Sequence, residues 1–198
     1  MNKKQDFAFS CGAASLLCAA AELGVTSMPN TGARSTGQAL QVNYFCEAAL
    51  YQITSGSVTG GRLDKEQADL SKLGYSFPHN VAIAARELGL DVKIYMSGMI
   101  ASALSTFYPD AETKCVRAGF PIIHSEPPAL AANRRALKIV MTFGIGLHYV
   151  MQRPNGTYMD PGDGKDFADF KQMNLWSKCY NDTGITLVLE RLVSTAAA

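Results

Sequence analysis

Three residue types in one order can break an amide bond without a metal: a cysteine opening a helix, a histidine on a strand, and a carboxylate one hairpin further on. Cys11, His148 and Asp160 stand in that order here. Cys11 follows Ser10 and heads an apolar run to Leu23. At a helix N-terminus the aligned peptide dipoles favour a thiolate, which is the nucleophilic form of cysteine. An imidazole that titrates near neutrality can take the thiol proton and return it to a leaving group, and His148 lies within Gly146–Gln152, a predicted strand. Pro154-Asn155-Gly156 predicts a tight turn that folds Thr157–Asp160 back along that strand. Strict pairing sets His148 opposite a residue slightly beyond Asp160, close enough for the carboxylate to fix the tautomer of the ring. Gln5, six positions ahead of Cys11, offers a side-chain amide to the oxyanion of a tetrahedral intermediate, with the Cys11 backbone N–H as second donor.

Taken singly, each has a plainer use. A lone cysteine is more often a small buried apolar residue, a strand histidine a satisfied core group, and an aspartate before Pro161 a turn residue. Gln5 alone reads as a solvated residue near a terminus. The remaining polar residues are given the plain reading: His124 a structural role, His79 a helix start, Gly60-Gly61 a turn, Trp176 and Tyr180 core or surface cover. Arg134 and Arg135 can meet an acidic substrate group, but a solvated loop is the commoner use. The five cysteines are scattered, with no zinc or redox spacing, and apart from Cys11 they read as buried and reduced.

The elements that must position these residues follow from pattern. Residues 11–23 predict an apolar, central helix with Ser10 as N-cap and Gly24 beyond its end. Helices are expected over 38–53, 64–73, from Pro78 to Leu88, and over 97–107 and 110–118, with loops at 26–37 and 54–62. Strands are expected over Leu90–Tyr95, a buried Phe120–His124, Leu137–Met141, Gly146–Gln152, Thr157–Asp160 and Ile185–Leu192. Residues 125–136 read as an inserted loop, Pro161–Gly164 as a loop, and Phe167–Met173 as a short helix. Helices first and strands later predict an α+β fold, with a helical half over about 1–90 and an antiparallel sheet half over about 91–193 of one domain.

Gln5 to Leu23 resembles the nucleophile region of papain-like cysteine peptidases, where a glutamine precedes a helix-capping cysteine by the same interval. Cys11-Gly12-Ala13-Ala14-Ser15-Leu16 is more similar to the branch holding bacterial double-glycine leader peptidases and phytochelatin synthases. Pro78–Val92, Gly119–Ile123, and His148-Tyr149-Val150 with the Asn-Gly turn and Asp160-Pro161 look like further parts of the leader peptidases. The long stretch from Ile123 to Leu147 departs from them, and export coupled to an attached transporter segment is not expected. The resemblance implies a papain-like fold with Cys11 as nucleophile, His148 as general base and acid, Asp160 as orienting carboxylate and Gln5 as oxyanion donor. It implies an acyl-enzyme thioester and no cofactor or metal. The expected enzyme is a hydrolase, either a peptidase or an amidase or deamidase, acting on a peptide, a protein or a small acyl or amide compound. The alternatives are an acyl or peptidyl transferase using the same thioester, and a catalytically dead binding module.

Composition agrees with an ordinary globular chain: 198 residues, 47% hydrophobic, 18% charged, net charge +1. That charge gives no field for nucleic acid or an anionic membrane. Two lysines before an apolar run at the N-terminus evoke a secretory signal, but Ser10, Cys11, Gly12, Ser15 and Glu22 interrupt the run. No run reaches the ~18–20 apolar residues that span a bilayer. The expected location is the cytoplasm of a producing bacterium, or delivery from it as a secreted effector.

Overall fold

A computed structural model describes residues 1–29, 38–56, 70–98, 110–142, 146–175 and 178–191. Its first helix, α1 (Cys11–Glu22), is buried along nearly its whole length, as its alanine and leucine content requires. Removing Leu16 and Leu17 from water stabilises the fold by roughly 2 kcal/mol each. Ser10 is the N-cap residue, yet its hydroxyl does not cap the helix. Gly24 takes φ +76° just past the end, where a left-handed residue closes the last turn. Helices α2 (Tyr44–Thr54) and α3 (Pro78–Glu87) pack beside α1.

Among the described residues seven strands form one sheet: β1 (Leu90–Met96), β2 (Ile122–Ile123), β3 (Arg134–Thr142), β4 (Gly146–Gln152), β5 (Tyr158–Asp160), β6 (Lys165–Phe167) and β7 (Tyr180–Arg191). Their order is β2-β1-β7-β3-β4-β5-β6. Every neighbouring pair is antiparallel except β1 and β2, which run parallel. Helix α4 (Ala111–Arg117) precedes β2, and α5 (Phe170–Met173) follows β6. The main core lies between α1–α3 and one sheet face, filled by Leu137, Ile139, Tyr149, Met151, Leu187 and Leu189. Val140, Val150, Tyr158 and Met173 form a second, smaller cluster. The fold is therefore α+β.

Several boundaries differ from expectation. Helix over 38–53 begins only at Tyr44, because Asn43 caps it by accepting from the Cys46 amide at 2.9 Å and Ala39 bridges back to Ser27. The buried strand at 120–124 shrinks to the two-residue edge strand β2, whose Ile123 is exposed. The 125–136 loop ends early: Arg134, Arg135 and Ala136 already belong to β3, an inner strand between β7 and β4. Their charges are paired inside the protein, Arg134 with Glu190 at 2.9 Å and Arg135 with Glu22 at 2.7 Å. Neither arginine waits for an acidic substrate. The 167–173 helix is a strand, β6, then a single helical turn begun by Asp169, which accepts from Gln172 N at 2.7 Å. Of the 64–73 helix, only a 3₁₀ turn at Leu70–Lys72 falls within the described residues. Most of 97–107, Gly60-Gly61 and Trp176 lie outside them.

Candidate active site

Cys11 is the first residue of α1 and is 4% exposed. The first intrahelical bond runs from Ala14 N to Ser10 O at 2.9 Å, so the amides of Cys11, Gly12 and Ala13 precede it and their dipoles favour an anion there. Gly12 is required by packing: a Cβ at this position would lie 2.5 Å from Ser76 Cβ. The cysteine end of α1 is thus seated against the segment that leads into α3. Ser15, one turn on, donates to the Tyr149 carbonyl at 3.3 Å and ties α1 to β4.

β4 carries His148, paired with Val140 of β3. The hairpin register sets Met151 opposite Met159 and Gln152 opposite Tyr158, which places Asp160 diagonal to His148 on the same sheet face. His148 Nε2 and Asp160 Oδ1 are 2.7 Å apart. Asp160 is fully buried. The Gly162 amide donates to the same oxygen at 2.7 Å, and a Cβ on Gly162 would come within 3.1 Å of it, so the turn fits closely only around glycine. With Nε2 engaged by the carboxylate, Nδ1 is the ring nitrogen left for the thiol.

The electrostatics follow. Burial alone would push the His148 pKa down, but a negative Cys11 and the Asp160 carboxylate outweigh it and hold the imidazolium up to about 9. Burial would raise the Asp160 carboxyl. Hydrogen bonding and charge from His148, then Lys178 and the Gly162 amide, overcome it and keep Asp160 well below the usual carboxylate range. Cys11 and His148 line one cleft of about 530 Å³, together with Gln5, Phe9, Tyr75, Leu147 and Tyr180.

Gln5 reaches this cleft in an unexpected posture. Its Nε2 donates to the Phe7 and Ala8 carbonyls at 2.8 and 3.0 Å, and its backbone N–H donates to Pro161 O at 2.8 Å. To reach an oxyanion the amide has to exchange at least one of those bonds. Among the described residues no group of three or more His, Cys, Asp or Glu side chains is placed to hold a metal ion. His124 lies elsewhere, exposed and 3.1 Å from Glu112. Of the other cysteines Cys18, Cys46 and Cys115 are buried, while Cys179 is exposed where the plain reading had it buried.

Residues 3–192 match the family described as invasion plasmid antigen J, cysteine protease. The chain belongs to the IpaJ cysteine protease family. A relative, the cysteine protease IpaJ of Shigella flexneri, is 35% identical over 203 residues, covering 94% of this chain and 77% of its own. No solved structure matches the chain. As a member of the IpaJ family it is a cysteine-dependent hydrolase acting on a peptide or protein, and membership does not favour the transferase and binding-module alternatives. Among the described residues no helix is long and apolar enough to cross a membrane.

Around the cleft of this IpaJ family member stand residues that sequence reasoning missed. Tyr180 stacks on His148 with ring centroids 5.4 Å apart and donates to Asp160 Oδ2 at 2.9 Å. Lys178 donates to the same oxygen and pairs with Asp163 at 2.8 Å. Glu47 of α2 is fully buried and gathers the segment before Cys11: it accepts from Ser10 Oγ at 2.6 Å and Asp6 N at 2.9 Å, and faces Lys3 Nζ at 2.8 Å. Burial pushes the Glu47 carboxyl up, against the opposing pull of Lys3 and Ser10. Glu47 as the single charged residue of a mostly apolar helix, Tyr44–Thr54, was the one signal available for it.

Proposed function

We propose that this protease works through Cys11 as nucleophile, His148 as general base and acid, and Asp160 as the carboxylate that orients the ring. The observation that carries the reading is the 2.7 Å contact between His148 Nε2 and Asp160 Oδ1, which commits Nδ1 to the Cys11 side of a shared cleft. The Cys11 thiolate attacks the substrate carbonyl carbon. As the C–N bond breaks, His148 gives its proton to the leaving nitrogen, and a thioester remains on Cys11. Water then attacks the thioester. His148 takes one of its protons, the acid product leaves, and the thiolate–imidazolium pair is restored. The Cys11 backbone N–H and, once released from Phe7 and Ala8, the Gln5 amide stabilise the oxyanion.

A nucleophile helix packed on a largely antiparallel sheet that bears a histidine-to-aspartate hairpin supports a single papain-like catalytic domain over the chain. The Cys11–Leu16 motif supports a kinship with the double-glycine leader peptidases within that class. A side-chain amide or small acyl compound remains an alternative substrate within the same chemistry. The Shigella flexneri relative supports a bacterial producing cell, and the family's description as an invasion plasmid antigen supports delivery from it as an effector.

The test is the alkylation rate of each cysteine against pH, read by mass spectrometry in wild type and His148→Ala. Cys11 is expected to be the fastest-reacting cysteine, and His148→Ala to slow it selectively. A Cys11 that reacts no faster than the other cysteines and is indifferent to His148→Ala refutes the assignment.

A further inference from the structure

Asp160 is held from two sides, and only one of them faces His148. Oδ1 accepts from His148 Nε2 and from the Gly162 amide, both at 2.7 Å. Oδ2 accepts from the Tyr180 hydroxyl at 2.9 Å and from the Lys178 ammonium. Lys178 is itself anchored by Asp163 at 2.8 Å, and its ammonium lies 4.6 Å from the centre of the Phe167 ring. The Tyr180 ring lies against the imidazole, with planes 30° apart.

Resting on the reading of Cys11, His148 and Asp160 as the catalytic centre, we propose that Lys178 and Tyr180 are positioning residues for it. They clamp the second oxygen of Asp160 so that the first stays on His148 Nε2, and Tyr180 covers one face of the imidazole. A carboxylate with two free oxygens can turn about its own axis and offer either one, or swing toward water. Here a half turn only exchanges two equivalent oxygens, and any intermediate angle pulls both away from their four donors at once. The four bonds therefore fix the plane of the carboxylate, and the carboxylate fixes the ring.

The clamp also has an electrostatic consequence. The Lys178 ammonium and the His148 imidazolium share one carboxylate, so Lys178 opposes the protonated ring while it holds the group that orients it. Removing that cation should leave the imidazolium harder to deprotonate. Because Lys178 and His148 meet the two oxygens of one carboxylate, loss of the cation is expected to raise the His148 step by about one pH unit.

The experiment is carboxamidomethylation of Cys11 by iodoacetamide across pH in wild type, Lys178→Met, Lys178→Arg and Tyr180→Phe, with near-UV circular dichroism to verify packing. A thiolate–imidazolium pair gives two steps: thiolate formation at low pH and loss of the His148 proton at high pH. Lys178→Met is expected to move the upper step up by about one pH unit. Lys178→Arg keeps the cation and should restore the wild-type profile. Tyr180→Phe is nearly isosteric and keeps the ring; it should move the step the same way by a few tenths of a unit, since one neutral donor leaves the carboxylate. A lysine that only supports the fold would lower the melting temperature and leave both steps in place. Folded Lys178→Met and Tyr180→Phe proteins whose profiles overlay wild type overturn the proposal. A wild-type profile lacking the two steps refutes the catalytic reading beneath it, so the two failures are distinct.

Discussion

Replacing Asp160 by asparagine changes almost no volume and separates shape from charge at the centre of the site. The side chain is fully buried and accepts from four donors: His148 Nε2 and the Gly162 amide on one oxygen, Tyr180 and Lys178 on the other. Asparagine has one acceptor oxygen and one donor nitrogen. If the oxygen keeps the His148 side, an NH2 group confronts the Lys178 ammonium. If the oxygen turns to Lys178, the NH2 group confronts the Gly162 amide and forces Nε2 to accept, which puts the ring proton on Nδ1, where it faces Cys11. On the proposed mechanism the second arrangement removes the base. The first keeps the tautomer but loses charge. The interval from the ordinary 6.5 to about 9 at His148, at about 1.4 kcal/mol per pH unit, is roughly 3 kcal/mol of net preference for imidazolium, left after burial has opposed a negative Cys11 and Asp160. Losing the Asp160 share and the tautomer together should cost ~10³-fold in kcat/KM. The confronted donors should cost roughly 2–3 kcal/mol of stability. The assay is turnover of a degenerate peptide mixture, with a thermal melt to verify that the variant is folded. A folded Asp160→Asn protein within tenfold of wild type refutes the argument and would move the orienting role to Asp163.

Glu47→Ala should lower stability by about 3 kcal/mol, because Lys3 loses its buried partner and the Asp6 amide and Ser10 lose their acceptor; Glu47→Gln, which keeps an acceptor, should cost about 1 kcal/mol, and denaturant melts distinguish the two. Gly184→Ala should cost about 3 kcal/mol or more, since Gly184 has φ +77° and a Cβ there would sit 1.8 Å from the Ser97 carbonyl oxygen; equal melting temperatures would contradict this. Asp160 has a folded pKa below its usual 3.8, so its contribution to stability is full above that pH and is lost as pH falls below it. Acid titration of stability should accordingly be shallower in Asp160→Asn than in wild type.

The part of the site that lay on strongly patterned segments was legible. Cys11 heads a helix whose alanine and leucine content favours that state. His148 and Asp160 flank an Asn-Gly turn whose geometry is nearly fixed by those two residues, and the diagonal offset between them follows from counting along the hairpin. What escaped was whatever depended on residues far apart in sequence. Arg134 and Arg135 look like loop charges until Glu190 and Glu22 arrive from β7 and α1 to pair with them. Glu47 reads as an ordinary helix glutamate until α2 packs against the segment before Cys11.

Tyr180 escaped for a local reason, which also explains how it reaches the site. Asp182-Thr183-Gly184 carries turn residues, so the last strand seemed to begin at Ile185. β7 instead begins at Tyr180 and absorbs these residues as an irregularity: Lys138 pairs with Thr186 but Val140 pairs with Asp182, so two steps along β3 match four along β7. Thr183 fills the gap by donating to the Ile139 carbonyl at 2.7 Å, and Asp182 accepts from the Gly184 amide at 2.9 Å. A bulge bends its strand and redirects the side chains beyond it. Beyond this one lie Tyr180 and Lys178, the two groups that close on Asp160. The glycine that cannot become alanine, the threonine that caps a carbonyl of the neighbouring strand and the tyrosine on the imidazole therefore belong to one device. On this argument Gly184→Ala should disturb the His148 titration as well as stability, although Gly184 itself is not among the residues that line the cleft.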